Sequence, residues 1–261
     1  MWEEPPISGW KGSGTVFFSG CPLHCVYCQN QEISDGTIGK EVSLERLAEI
    51  FLEQQGRGAH NINLVTPTQF APQIVEALDL AKAAGLKLPI VYNTSGYESL
   101  EGLKIINEHV DIFLVDYKYG TARVAQKYSK AADYPEVASA ALDEMYRQVG
   151  PYTEDPETGL LKSGVIVRHL LLPDGLFDSF AVMRTLANKP YIQDVWISLM
   201  SQYTEMPHVR EKFPELAKPI DPDDYEALID YALSLGLENS FCQEGSAASE
   251  SFIPAFDYEG V

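Results

Sequence analysis

The chain has 261 residues, 45% hydrophobic and 22% charged, enough to bury a full core in one α/β domain. Its 19 basic residues stand against 38 acidic ones, a formal charge of −19. Such a surface gains little from phosphate backbones, which are bound by Lys and Arg displacing counterions, so no nucleic-acid partner is expected. No run of about 18 apolar residues exists, so no membrane-spanning helix is expected. The start, Met1-Trp2-Glu3-Glu4-Pro5-Pro6, lacks the basic-then-apolar order of a signal peptide, and the chain reads as cytoplasmic with no membrane partner.

In chain order, residues 14–20 are a β-branched and aromatic run that predicts a strand, followed directly by a cysteine-rich loop. Leu44, Leu47, Ala48, Phe51 and Leu52 recur at helical spacing with Ser43 as N-cap. Residues 61–65 read as a strand, 69–84 as a helix capped by Gly85, 88–92 as a strand and 99–107 as a helix. The nearly all-apolar stretch 111–117 predicts a buried parallel strand, and two helices follow, about 121–132 and 135–149. Residues 150–163 are rich in turn formers and aperiodic, the pattern of an exposed loop or lid. Strands at 164–172 and 194–200 flank a helix at 176–188, and Asp221 with Pro222 opens a last helix.

Six strands alternating with helices require right-handed crossovers and a mostly parallel sheet. An open (β/α)6 barrel and a doubly wound sheet both satisfy the pattern, and both place working groups at the C-terminal strand ends. The expected organisation is a single domain over 1–261, with a core of about 14–240 and a C-terminal extension over 241–261.

Three of the four cysteines fall within eight residues, as Cys21-x3-Cys25-x2-Cys28. A disulfide framework would spread its cysteines along a short secreted chain. Thiolates this close can converge on one iron–sulfur cluster, and three of them leave one iron of a four-iron cube without a protein ligand. Structural zinc needs four ligands, and the remaining partners would be His24, inside the loop, or the distant Cys242. Cys242 reads as a buried small apolar residue.

The stretch from Gly12 through the cysteines to Gln31 resembles the radical S-adenosylmethionine (SAM) superfamily. Within it the chain is similar to activating enzymes of glycyl radical enzymes, specifically the pyruvate formate-lyase activating enzyme-like, PflX-type group. The likeness extends over residues 4–20, 61–70, 89–97, 111–119, 128–148, 167–173 and 199–203. It implies a partial (β/α)6 TIM-like barrel of the radical SAM type. It also implies a [4Fe–4S] cluster on Cys21, Cys25 and Cys28, with SAM as the second cofactor. The implied chemistry is reductive cleavage of SAM to a 5′-deoxyadenosyl radical that abstracts hydrogen from the substrate. A reductant such as flavodoxin or ferredoxin would supply the electron. Longer PflX-type chains carry a cysteine-containing segment ahead of the stretch at which this chain begins, which makes it a short or truncated form in this reading.

The same resemblance gives individual residues their expected roles. Tyr27 would lie near the adenine, and Asn30 would touch cluster or cofactor. The superfamily's Gly-Gly-Glu at the second strand end is replaced here by Thr66-Pro67-Thr68, so the Thr66 and Thr68 hydroxyls and backbone would meet the SAM amino group without a carboxylate. Asn93 and Ser95, in the turn after the third strand, would hold the SAM carboxylate or ribose. Asp116-x-Lys118 matches the activating enzymes, and alternate strand residues face one side. Lys118 and Arg168 are the expected catalytic residues, Arg168 gripping the SAM carboxylate in bidentate fashion. His169 should face away and pack. Ser198, Met200 and Gln202 alternate toward one side at the sixth strand end, with Ser198 and Gln202 as expected contacts.

The leading expectation is a radical SAM oxidoreductase acting on a glycyl radical enzyme or another protein backbone, with 150–163 gating its entry. Two alternatives stand beside it: a radical SAM enzyme for a small molecule or peptide, and a non-catalytic iron–sulfur or zinc protein.

Overall fold

The computed structural model describes residues 4–243. Among the described residues eight strands form one sheet: β1 (Gly14–Phe17), β2 (Ile62–Val65), β3 (Ile90–Thr94), β4 (Ile112–Asp116), β5 (Thr153–Glu154), β6 (Leu161–Leu170), β7 (Trp196–Met200) and β8 (Ser240–Gln243). The ladder runs β1-β2-β3-β4-β6-β7-β8 with every step parallel, while β5 pairs antiparallel with β6. Nine helices accompany them among the described residues: α1 (Pro5–Ser8), α2 (Gln31–Ser34), α3 (Leu44–Gly56), α4 (Ala71–Ala83), α5 (Leu100–Ile105), α6 (Ala122–Ser129), α7 (Tyr134–Val149), α8 (Leu176–Ala187) and α9 (Pro222–Ser234). A parallel sheet with alternating helices is the expected α/β class, a partial barrel whose end strands β1 and β8 are not paired with one another among the described residues.

The strands are apolar on both faces because both are covered. Phe113, Val115, Val165 and Val167 point outward into the main core, against Leu103, Leu142, Val182 and Leu186 of the helices. Val91, Ile112, Leu114 and Ile166 point inward and pack around Ile7, so α1 fills the N-terminal end of the barrel. The Asn61 amide donates to the Ile7 carbonyl at 2.8 Å and holds this plug in place.

The inward alternation decides where function can reside. One residue-pair level above Leu114 and Ile166, the register sets Asp116 beside Arg168 and Arg168 beside Ser198. Apolar layers thus give way to charge at the C-terminal strand ends.

Residues 150–163 are not a lid. They connect α7 to β6, so they lie at the N-terminal end of that strand, away from the C-terminal ends where the charged residues gather. β5 pairs there with the start of β6, which begins at Leu161 and not at 164. Tyr152 packs on Trp196 at 5.5 Å and its N–H donates to the Asp194 carbonyl at 3.1 Å. Gly164, at φ +131°, allows this approach, since a Cβ there would lie 2.6 Å from that of Tyr152. The strand β8 also crosses the expected boundary at 240/241, and residues 244–261 of the expected extension lie outside the described residues. Cys242 sits on β8, the last strand of the ladder, and is exposed where burial was expected.

Candidate active site

A cavity of about 330 Å³ opens at the C-terminal ends of the strands. Cys21, Cys25, Cys28, Tyr27, Asn30, Thr66, Asn93, Ser95, Asp116, Lys118, Arg168 and Gln202 line it together. Of the residues expected from sequence, Thr68 and Ser198 are not part of its wall. Thr68 turns its hydroxyl to Glu98, at 2.6 Å, and Ser198 is fully buried beside Arg168 within the sheet.

The cysteine loop leaves β1 and is held by backbone bonds at several points. Gly20 N–H donates to the Ile33 carbonyl at 2.7 Å, Val26 N–H to Tyr128 at 2.9 Å and Cys28 N–H to Cys25 at 3.1 Å. The ring of His208 meets the Val26 carbonyl at 2.9 Å. None of the three thiols is in a disulfide, and each is partly accessible. The Ser129 hydroxyl donates to Cys25 Sγ at 3.2 Å and is itself bonded to Tyr119 at 2.6 Å. Burial pushes the Cys25 thiol up, and burial with the neighbouring Cys25 pushes Cys28 up to about 11. The backbone N–H of Asn30 counters this at Cys28. The Asn30 side chain makes no cap bond to α2, so it is not spent on the helix.

Tyr27 is buried in an aromatic cage, edge-on to Tyr119, Tyr128 and Tyr203 at 6.3–6.4 Å between ring centres. The cage fixes its ring as one wall of the cavity.

Close to the cysteines lies an ion network. Asp116 Oδ2 is 2.7 Å from Lys118 Nζ, and its Oδ1 accepts from Arg168 Nε at 2.7 Å. Arg168 Nη2 donates to Asn93 Oδ1 at 2.8 Å, and Nε stands 3.8 Å from the buried Glu4. The Nε edge that would fork onto a ligand carboxylate is therefore directed at protein acceptors. Burial opposes the charge on Asp116, yet Arg168 and Lys118 hold its carboxyl below the usual range. Burial likewise opposes the charge on Lys118, and Asp116 carries it above the ordinary lysine value. Lys118 and Arg168 thus share Asp116, and Arg168 also has the buried Glu4 within ion-pair distance. His169 packs as expected, between the Tyr117 carbonyl at 2.7 Å and Ser179 Oγ at 2.8 Å.

Three residues that organise this site escaped the sequence reading. Tyr134 places its hydroxyl within 2.8–2.9 Å of the carbonyls of Asp116 and Ser95 and of the Lys118 N–H, joining the ends of β3 and β4. Gln69 reaches from the 3-10 turn after β2 to the carbonyls of Ser19 and Gly20 at 2.9 Å and of Thr66 at 3.1 Å, tying the cysteine loop to the neighbouring turn. Glu98 is buried behind that turn. Thr66 itself adopts φ +57°, which for a β-branched residue is strain on the order of 1–3 kcal/mol, and such strain gathers at functional sites. Gly96 is required for the turn after β3, because a Cβ would lie 2.5 Å from the Asp116 carbonyl.

Three free thiols on a loop at the mouth of a parallel partial barrel, beside a buried ion network, define an enzyme-like cysteine centre. The sequence model of the radical SAM superfamily matches residues 15–148, and the chain belongs to that superfamily. Its members use a [4Fe–4S] cluster and SAM. The chain is 24% identical over 235 residues to an uncharacterised protein of Methanocaldococcus jannaschii, covering 87% of this chain and 63% of that one. It is 30% identical over 112 residues to the pyruvate formate-lyase-activating enzyme of Clostridium pasteurianum, covering 40% and 44%. The matches thus span less than two thirds of either relative. Among solved structures, the 3-keto-D-glucoside 4-epimerase YcjR of E. coli aligns at TM-score 0.32 and 15% identity, over 79% of this chain and 89% of that one.

The residues present fit both groups. Three unbridged thiols on one loop line the cavity together, a donor set suited to an iron–sulfur cluster. The Lys118 ammonium beside them suits a ligand carboxylate.

Proposed function

We propose that this protein is a radical SAM oxidoreductase that takes a hydrogen atom from the backbone of a protein partner, in the manner of a glycyl-radical-enzyme activase. The observation that carries the reading is the shared cavity of Cys21, Cys25 and Cys28 with Asp116, Lys118 and Arg168. The partial identity to a pyruvate formate-lyase-activating enzyme supports the choice of substrate class.

When bound, the cluster and SAM supply the electron and the carbon radical. The chain's own part is binding, orientation and exclusion of water. Cys21, Cys25 and Cys28 would hold the cluster, with Ser129 and the Asn30 N–H directed at two of the sulfurs. Lys118, kept charged by Asp116, would hold the carboxylate of SAM, and Arg168 would orient Asp116. Tyr27, fixed by its cage, would close the cavity against water on the cluster side. Asn93 acts on Arg168, and Tyr134 keeps the β3 and β4 ends at one level.

The test is anaerobic reconstitution, reduction, and EPR with and without SAM, alongside an assay for 5′-deoxyadenosine. A signal altered by SAM, with the nucleoside formed, supports the chemistry. A glycyl radical signal on mixing with a candidate glycyl radical enzyme supports the partner. A cluster indifferent to SAM removes the proposal.

A further inference from the structure

Glu98 is 3% exposed, and its carboxylate is bonded to hydroxyls. Its Oε1 accepts from Thr68 at 2.6 Å and from the Thr94 hydroxyl, and Tyr92 adds its phenol. These groups come from the 3-10 turn after β2 and from β3, and among the described residues none of its partners is charged. Burial pushes the carboxyl up to about 7 against the pull of the three hydroxyls. Thr94 Oγ also accepts from Gly96 N–H at 3.2 Å, extending the chain of bonds into the turn after β3.

The placement gives this carboxylate a reach beyond its own loop. Thr94 lines the cavity, so Glu98 stands one hydroxyl away from it. Thr66 lines the cavity too, two residues before Thr68, in its strained conformation. Arg168 and Lys118 line the cavity as well, paired with Asp116 and, at Arg168, with the buried Glu4. The turns after β2 and β3 are therefore a part of the cavity wall backed by a buried carboxylate. SAM carries its ammonium on the same carbon as its carboxylate and a sulfonium two methylenes away, so two of its charged groups are cations that a buried carboxylate favours.

Resting on the reading of this cavity as the SAM site, we propose that Glu98 is a positioning residue. Through Thr68 and Thr94 it fixes the Thr66–Thr68 and Thr94–Gly96 turns as the wall that faces the cationic groups of SAM. It thereby supplies, from the next loop, the carboxylate that Thr66-Pro67-Thr68 lacks. The ionised form can only accept, so it holds both threonine hydroxyls as donors. Protonation turns one of those contacts around and removes the charge.

The experiment uses the anaerobically reconstituted full chain and measures the SAM dissociation constant, by calorimetry and by the change in the reduced cluster's EPR signal, below and above pH 7. Glu98→Gln should bind SAM roughly tenfold more weakly above pH 7, about the worth of one charge-assisted hydrogen bond. The parent should bind more tightly as pH rises through 7, and Glu98→Gln should show no such rise. Thr68→Val keeps the charge while removing a donor, so it should move the pH midpoint of SAM affinity upward. Equal affinity of Glu98→Gln and parent above pH 7, or an unmoved midpoint in Thr68→Val, would overturn the role of Glu98. Failure of the parent to bind SAM at all would overturn the underlying site reading instead.

Discussion

Asp116 and Arg168 are register partners on neighbouring parallel strands, and their side chains meet at 2.7 Å inside the barrel. The pairing is dictated by the sheet, since a one-residue slip of either strand would turn its side chain into the helical layer. Lys118, two residues further along the same face, completes the group. Charge is thus delivered to the cavity by strand alternation alone.

Asp116→Asn should leave two partly buried cations without their carboxylate. Breaking a buried pair in this way costs about 3 kcal/mol, which chemical denaturation would read directly. The double change Asp116→Leu with Arg168→Met should recover most of that stability while still abolishing SAM binding. If the double variant is as unstable as the single one, packing rather than charge sets the cost.

Glu98 gives a second expectation, in stability. Its carboxyl moves from an ordinary 4.5 to about 7 in the folded protein. A raised carboxyl binds its proton more tightly when folded, so the contribution is complete below pH 4.5 and lost as pH rises through 7. Above pH 7 the native state is weakened by on the order of 3 kcal/mol. Glu98→Gln should therefore melt no lower than the parent above pH 7, and its melting temperature should lack the decline between about pH 5 and 7.

Tyr134→Phe removes one hydroxyl that serves the Lys118 N–H and the carbonyls of Ser95 and Asp116. Buried backbone groups left without a partner cost about 1–3 kcal/mol. The melt should fall accordingly, and SAM affinity should fall with it as the β3 and β4 ends lose their common tie.

Alanine at Cys21, Cys25 or Cys28 should each abolish cluster incorporation, measured as iron and sulfide per chain. Cys242→Ser, exposed on β8, should retain full loading. Equal loss from Cys242→Ser would show that a fourth thiol takes part.

Replacing residues 155–160 by a short turn should alter neither SAM cleavage nor reaction with a protein partner. The β5–β6 connection lies at the N-terminal strand ends, so a large loss of turnover would contradict its placement.

Much of this was legible in the sequence because parallel strands announce themselves. Residues 111–117 are so apolar that β4 falls where expected, and the Ser43 cap is realised by a bond from Arg46 N–H at 3.2 Å. The cysteine spacing and Asp116-x-Lys118 marked the cavity for the same reason, being local patterns. What escaped depends on contacts between distant segments. Glu98 meets Thr68 across thirty residues and Gln69 meets Ser19 across fifty, and no periodicity records such pairs. Residues 150–163 misled because turn formers identify a loop but not the end of the sheet on which it lies. The two-residue β5 is too short to have a pattern.

The α1 plug makes the barrel a vessel with a floor. Ile7 and the strands around it close the N-terminal end with aliphatic packing, so traffic to the reacting atoms passes through the opposite rim. Specialisation to a new partner then becomes a matter of redrawing rim loops, with the floor left untouched. Lineages descended from such a scaffold can diversify what they act upon without renegotiating how the reactive species is made.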